Sequence, residues 1–167
     1  FFKTGPHGEN VQLVDINLSF IEDSFAKCLT KIFSRVFFEH TTSLQDRGSF
    51  PIHIVLEEAH RYVQNDSDIN VLGYNIFDRI TKEGRKYGTI LGFVSQRPNE
   101  LSNTALSQCS NFVVFRLFYP EDLEIVKGIS SNVTDETLEK IKTLKPGMGR
   151  VFGTAFKVPL LVKFPIR

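Results

Sequence analysis

The sequence predicts an α/β fold: a mostly parallel, three-layer sheet with a terminal antiparallel hairpin. Three observations carry this. Short apolar runs alternate with segments of helical period along the 167 residues, an order that implies crossover connections between parallel strands. The run Ile52-His53-Ile54-Val55-Leu56 is nearly continuous in apolar character and turns to charge only at its end, as a strand covered on both faces does. Near the carboxyl end, Pro146-Gly147 introduces two β-rich runs with no helix between them.

Taken in order, 11–16 (Val-Gln-Leu-Val-Asp-Ile) follows the turn-rich Thr4-Gly5-Pro6-His7-Gly8 and reads as a strand that Asp15 closes. Ser19 with Glu22 three residues on forms a capping box. Ile21, Phe25, Leu29, Ile32 and Val36 then repeat at helical spacing to about His40, a face expected to cover the sheet. After the strand 52–56, a polar loop around Asn65 to Asn70 leads into a helix from roughly Val71 to Tyr87, which Gly88 ends as a left-handed cap. A strand follows at 89–95. Asn103 caps a short helix to about Cys109, and 111–117 is a further strand rich in Val and Phe. Helices at 120–129 and 134–144 precede the closing hairpin, 150–154 with 157–164. Phe25, Phe33, Phe37, Phe112 and Phe115 occupy apolar periodic positions and read as core, and His53 as a core histidine with its hydrogen bonds satisfied.

The length suits one domain with a real core. With 20 Lys and Arg against 19 Asp and Glu, any contact with nucleic acid must come from a local patch or from assembly. Cys28 and Cys109 lack metal-ligand spacing and suit reduced thiols. No apolar run spans a bilayer and no leader opens the chain, so a soluble, cytoplasmic protein with no membrane partner is expected. The first residue is Phe and the only methionine is Met148, which raises the expectation of further sequence upstream.

The chemistry concentrates where the 52–56 strand ends. Ligands of parallel sheets bind at the carboxyl edge, where Glu57 and Glu58 emerge. The first acid can hold a hydrated metal beside a triphosphate and the second can polarise the attacking water as general base; an ordinary exposed acidic turn is the alternative. Val94-Ser95-Gln96-Arg97-Pro98 ends the next strand at the same edge. The Gln96 amide can hydrogen-bond the water or the terminal phosphate without adding charge, or it simply terminates the strand before Pro98. His60, three residues beyond Glu57, can bridge to it. Arg85, in the charged helix end 79–88, either reaches a neighbouring subunit's triphosphate or is part of a solvated basic terminus. Gly84, costly inside a helix by about 1 kcal/mol, fits a close backbone approach. Arg116 ends a strand at the ligand edge, where a structural ion pair is its expected role.

Val55-Leu56-Glu57-Glu58-Ala59-His60-Arg61, Glu83-Gly84-Arg85-Lys86-Tyr87-Gly88 and Ser95-Gln96-Arg97-Pro98, in that order, resemble the HerA branch of the HerA/FtsK hexameric ATPases. The resemblance covers most of the chain. It implies a RecA-like core of the P-loop NTPases, ATP and Mg²⁺, a homohexameric ring, and a motor moving on double-stranded DNA, often beside a nuclease. By position it implies Glu57 as the metal-side acid of Walker B, holding magnesium through water, Glu58 as catalytic base, Gln96 as sensor and Arg85 as the trans arginine. Glu57 departs from the more usual aspartate, and its extra methylene lengthens the reach. No Gly-x-x-x-x-Gly-Lys-[Ser/Thr] loop occurs and Gly-Lys is absent, so the chain reads as the carboxyl-terminal part of an ATPase domain, inactive by itself. Two other functions fit the same residues: a type IV secretion or conjugation ATPase, and a non-catalytic interaction domain that keeps the fold.

Overall fold

The computed structural model describes residues 12–64, 74–129 and 133–165. The architecture is mixed α/β. Strands β1 (Ile52–Leu56) and β2 (Thr89–Phe93) form a parallel pair, with Ile52 opposite Thr89 and Leu56 opposite Phe93. Strands β3 (Asn111–Val114), β4 (Met148–Gly153) and β5 (Leu160–Lys163) form an antiparallel sheet in that order. The closing hairpin is therefore present, and the antiparallel ladder extends past it to β3.

Helix α1 (Asp23–Ser43) begins one turn later than the capping box suggests. Its cap is Glu22, whose carboxylate accepts from the backbone N–H groups of Ser24 and Phe25. Its orientation corrects the sequence reading. Phe25 is 56% exposed, and Ile32 and Val36 also face out, while Ala26, Thr30, Ser34, Phe38 and Thr41 are buried. The hydroxyls make this possible. Thr30 Oγ1 donates to the Ala26 carbonyl at 2.8 Å and Thr41 Oγ1 to that of Phe38 at 2.9 Å, so side chains that look polar enter the core already satisfied. Thr41 also pairs with Thr89 at 2.6 Å, tying the end of α1 to the start of β2.

Helix α2 (Ile76–Glu83) replaces the longer helix expected from Val71; residues 71–73 lie outside the described residues. It tightens into a 3₁₀ turn, Gly84–Tyr87, which Gly88 ends at φ 81°, the left-handed cap anticipated. Ile76, Phe77 and Ile80 join Ala26, Phe38, Leu56 and Val63 in one core cluster. Helix α3 (Asn103–Gln108) is capped by Ser102 rather than Asn103. Helices α4 (Pro120–Ile129) and α5 (Asp135–Lys142, capped by Thr134) cover the antiparallel sheet. A second cluster there includes Val114, Leu123, Val126, Ile141 and Phe152.

Other expectations are corrected by the same packing. Residues 12–18 form no strand: Leu13 is 88% exposed, and a cleft of about 1040 Å³ separates this segment from β1. Residues of both faces of β1 line that cleft, so it runs along the edge of the strand that has no partner among the described residues. Only one face of the parallel pair is covered among the described residues, which leaves His53 and Val55 exposed rather than in the core. Phe115 is 48% exposed and leans on Phe164 at 5.1 Å over Gly149, on the open face of the antiparallel sheet. Arg116 makes no ion pair among the described residues; its guanidinium lies 5.0 Å over the Phe118 ring.

Gly84 is where close approach decides the residue. A β-carbon there would be driven into the Thr89 carbonyl oxygen and lie 2.9 Å from Ile80 Cγ2. Alanine has the better helix propensity by about 1 kcal/mol, yet Gly84→Ala is expected to destabilise the protein by about 2 kcal/mol, because the obstructing atom is backbone at the head of β2. A lowered urea midpoint at unchanged m-value is the readout.

Candidate active site

Parallel register places the ends of β1 and β2 at one edge, and the backbone there is more tightly held than a loop. Val94 N–H donates to the Leu56 carbonyl at 3.0 Å, and Ala59 N–H donates to the Val94 carbonyl at 2.9 Å. Glu57 and Glu58 are thus a two-residue excursion pinned at both ends to a single residue of the neighbouring chain segment. Making that excursion puts Glu58 at φ 49°, ψ 47°, the one non-glycine with positive φ among the described residues. Such a conformation costs on the order of 1 kcal/mol and is common where a side chain must be aimed. Beyond it, fully buried Ala59 starts a 3₁₀ turn, Ala59–Arg61, whose carbonyl accepts from Val63 N–H at 2.8 Å.

The side chains converge. Gln96 Nε2 donates to Glu58 Oε1 at 2.6 Å, across 38 residues of sequence. His60 Nδ1 lies 3.5 Å from Glu58 Oε2 and 3.1 Å from Ser95 Oγ, with its side chain 15% exposed. Glu57, exposed, stands beside them at the same edge. The turn is braced from below by an ion pair between Arg61 and Asp23 at the head of α1, and Asp23 raises the Arg61 pKa above the ordinary arginine value. Arg97 pairs with Glu100 at 2.9 Å, and that carboxylate chiefly raises the Arg97 pKa; both arginines stay cationic.

Arg85 is elsewhere. Its turn runs into Thr89, the first residue of β2, so Arg85 is exposed at the amino edge of the sheet, a strand length of roughly 16 Å from the edge that carries Glu58. Within the chain it stands apart from that site.

Among the described residues no group of three or more His, Cys, Asp and Glu could hold a metal. A single exposed carboxylate at a ligand edge suits magnesium, which keeps several waters and takes phosphate oxygens as further ligands. Glu57 fits that hydrated mode and not a protein-built cage.

Sequence reasoning gave no role to Ser95 or to the Val94 anchor. A serine two residues before an N–H it can accept was a readable turn signal, whereas the anchor depends on strand register.

No family model matches the sequence. The DNA double-strand break repair helicase HerA of Pyrococcus furiosus is 30% identical over 174 residues, covering 95% of this chain and 31% of that protein. The HerA of Sulfurisphaera tokodaii is 35% identical over 114 residues, 68% of this chain and 23% of that protein. This chain belongs to the HerA family. A Methanocaldococcus jannaschii protein named as a probable helicase is 36% identical over 172 residues, 93% of the chain and 32% of that protein. The chain thus spans about a third of the length of the Pyrococcus furiosus and Methanocaldococcus jannaschii relatives. Among solved structures, the genome-packaging NTPase of Sulfolobus turreted icosahedral virus 2 with ATP-gammaS superposes at TM-score 0.65 and 16% identity, covering 90% of the chain and 66% of that structure. A bacterial conjugative coupling protein superposes at 0.62 and 12%, covering 87% and 39%. At such identities these likenesses speak for a shared RecA-like fold alone.

Proposed function

We propose that these residues are the Walker B to sensor half of a HerA-type motor, which couples ATP hydrolysis to movement on double-stranded DNA as a homohexameric ring, with a nuclease as a fitting partner. The observation that carries the reading is the 2.6 Å contact between Glu58 and Gln96 at the carboxyl edge. An acid and an amide from separate crossovers, held together on anchored backbone, form the pair that water activation beside a phosphate requires.

In this reading Glu58 takes a proton from water as the water oxygen bonds to the γ-phosphorus. The bond from that phosphorus to the β–γ bridging oxygen breaks, and ADP leaves with the electron pair. Gln96 reports the terminal phosphate through its amide and His60 orients Glu58. Glu57 would hold magnesium through water, and that ion, when bound, neutralises phosphate charge. Arg85, remote from its own site, would serve the next protomer's. The phosphate-gripping loop is absent from these 167 residues, so the rest of the protein must supply it and the segment alone is expected to be inactive.

The test is ATP turnover and analogue binding by the full-length protein, with and without DNA. Calorimetric binding of an ATP analogue and turnover stimulated by duplex DNA are expected. Absence of binding would leave a non-catalytic ring-forming module, and stimulation by single strands alone would overturn the duplex assignment.

A further inference from the structure

Ser95 has no part in that chemistry, yet one atom of it touches both halves. Its Oγ accepts the Arg97 N–H at 3.0 Å, closing a turn across Gln96, so the backbone that carries the amide is set by this hydroxyl. The same oxygen lies 3.1 Å from His60 Nδ1. His60 in turn faces Glu58 Oε2 at 3.5 Å, while Gln96 occupies Oε1.

The hydrogen bonds can be assigned by exclusion. An imidazole nitrogen either carries a proton and donates or presents a lone pair and accepts. Were the serine hydroxyl the donor to Nδ1, the lone pair of that nitrogen would also face a carboxylate oxygen, which is repulsive. With the proton on Nδ1, its N–H addresses the hydroxyl and the carboxylate together, and Ser95 Oγ accepts from His60 and from Arg97 at once. Ser95 is only half-buried, but the ring it holds is largely shielded, so water competes poorly for it.

We infer that Ser95 is a positioning residue: its hydroxyl accepts from His60 Nδ1–H and holds that ring against Glu58 while bracing the turn that presents Gln96. This rests on the ATPase reading and adds to it a single oxygen that sets base and sensor together. Outer-shell partners of this kind typically change activity by about 10- to 100-fold without touching substrate.

The experiment is steady-state ATP turnover by the full-length protein carrying Ser95→Ala, Ser95→Thr, His60→Ala and the Ser95→Ala/His60→Ala pair, with Glu58→Gln alongside. Ser95→Ala is expected to lower kcat by about 10- to 100-fold while KM and ATP-analogue affinity stay within about threefold, and Ser95→Thr to restore most of the rate. The pair is expected to be no worse than about threefold below the poorer single variant, because both act on one carboxylate. Should Ser95→Ala not fold, Ser95→Cys keeps the volume, weakens the hydrogen bond and carries the same expectation. An unchanged kcat in Ser95→Ala, or losses that multiply in the pair, overturns the assignment while an inactive Glu58→Gln leaves the ATPase reading standing. Full turnover in Glu58→Gln ends both.

Discussion

Glu58→Gln in the full-length protein is expected to reduce ATP turnover by about 10²- to 10⁴-fold, the range a positioned general base contributes, while leaving ATP binding intact. The substitution is chosen to change only basicity. The amide keeps the shape of the carboxylate, its oxygen can still accept from Gln96 Nε2, and the backbone at φ 49° is under no new constraint. What is lost is the charge that draws a proton from water, so the effect belongs in kcat and not in KM. Calorimetry with an ATP analogue checks the second half of the expectation. Unchanged turnover would remove Glu58 from the chemistry and leave its contact with Gln96 a structural bond.

Much of this arrangement was legible in the residues, for local reasons. The strand at 52–56, the left-handed cap at Gly88 and the helix at 120–129 stand where their patterns put them, because each signal acts over a few residues. The convergence of Glu58 and Gln96 followed from one further rule, that consecutive parallel strands release their ends at a common edge. The inward face of α1 was not legible. Its hydroxyls bond back to the helix and so pack as small core residues, while the larger apolar stripe through Phe25 and Ile32 points out. Nor was the place of Arg85: periodicity shows the end of a helix, but only the threading into β2 shows which edge that end occupies. The segment 11–16 looks like a strand in composition, and its described residues, 12–16, form none.

Because Arg85 and Glu58 stand at opposite edges of the parallel pair within the chain, the proposed function requires a composite site between subunits, and mixed rings test that proposal most directly. Arg85→Ala is expected to lower turnover by about three to five powers of ten, the contribution of an arginine supplied in trans to phosphoryl transfer. Alone, rings of Arg85→Ala or of Glu58→Gln are expected to be almost inactive. Mixed in equal amounts and reassembled, they pair an intact Glu58 with a neighbour's intact Arg85 at about one interface in four by random assortment, since each site needs both groups. Turnover is therefore predicted to recover toward a quarter of the wild-type rate in the mixture. Mixed rings that assemble and remain as inactive as their parents, or an Arg85→Ala ring that turns over ATP normally, would contradict the shared site.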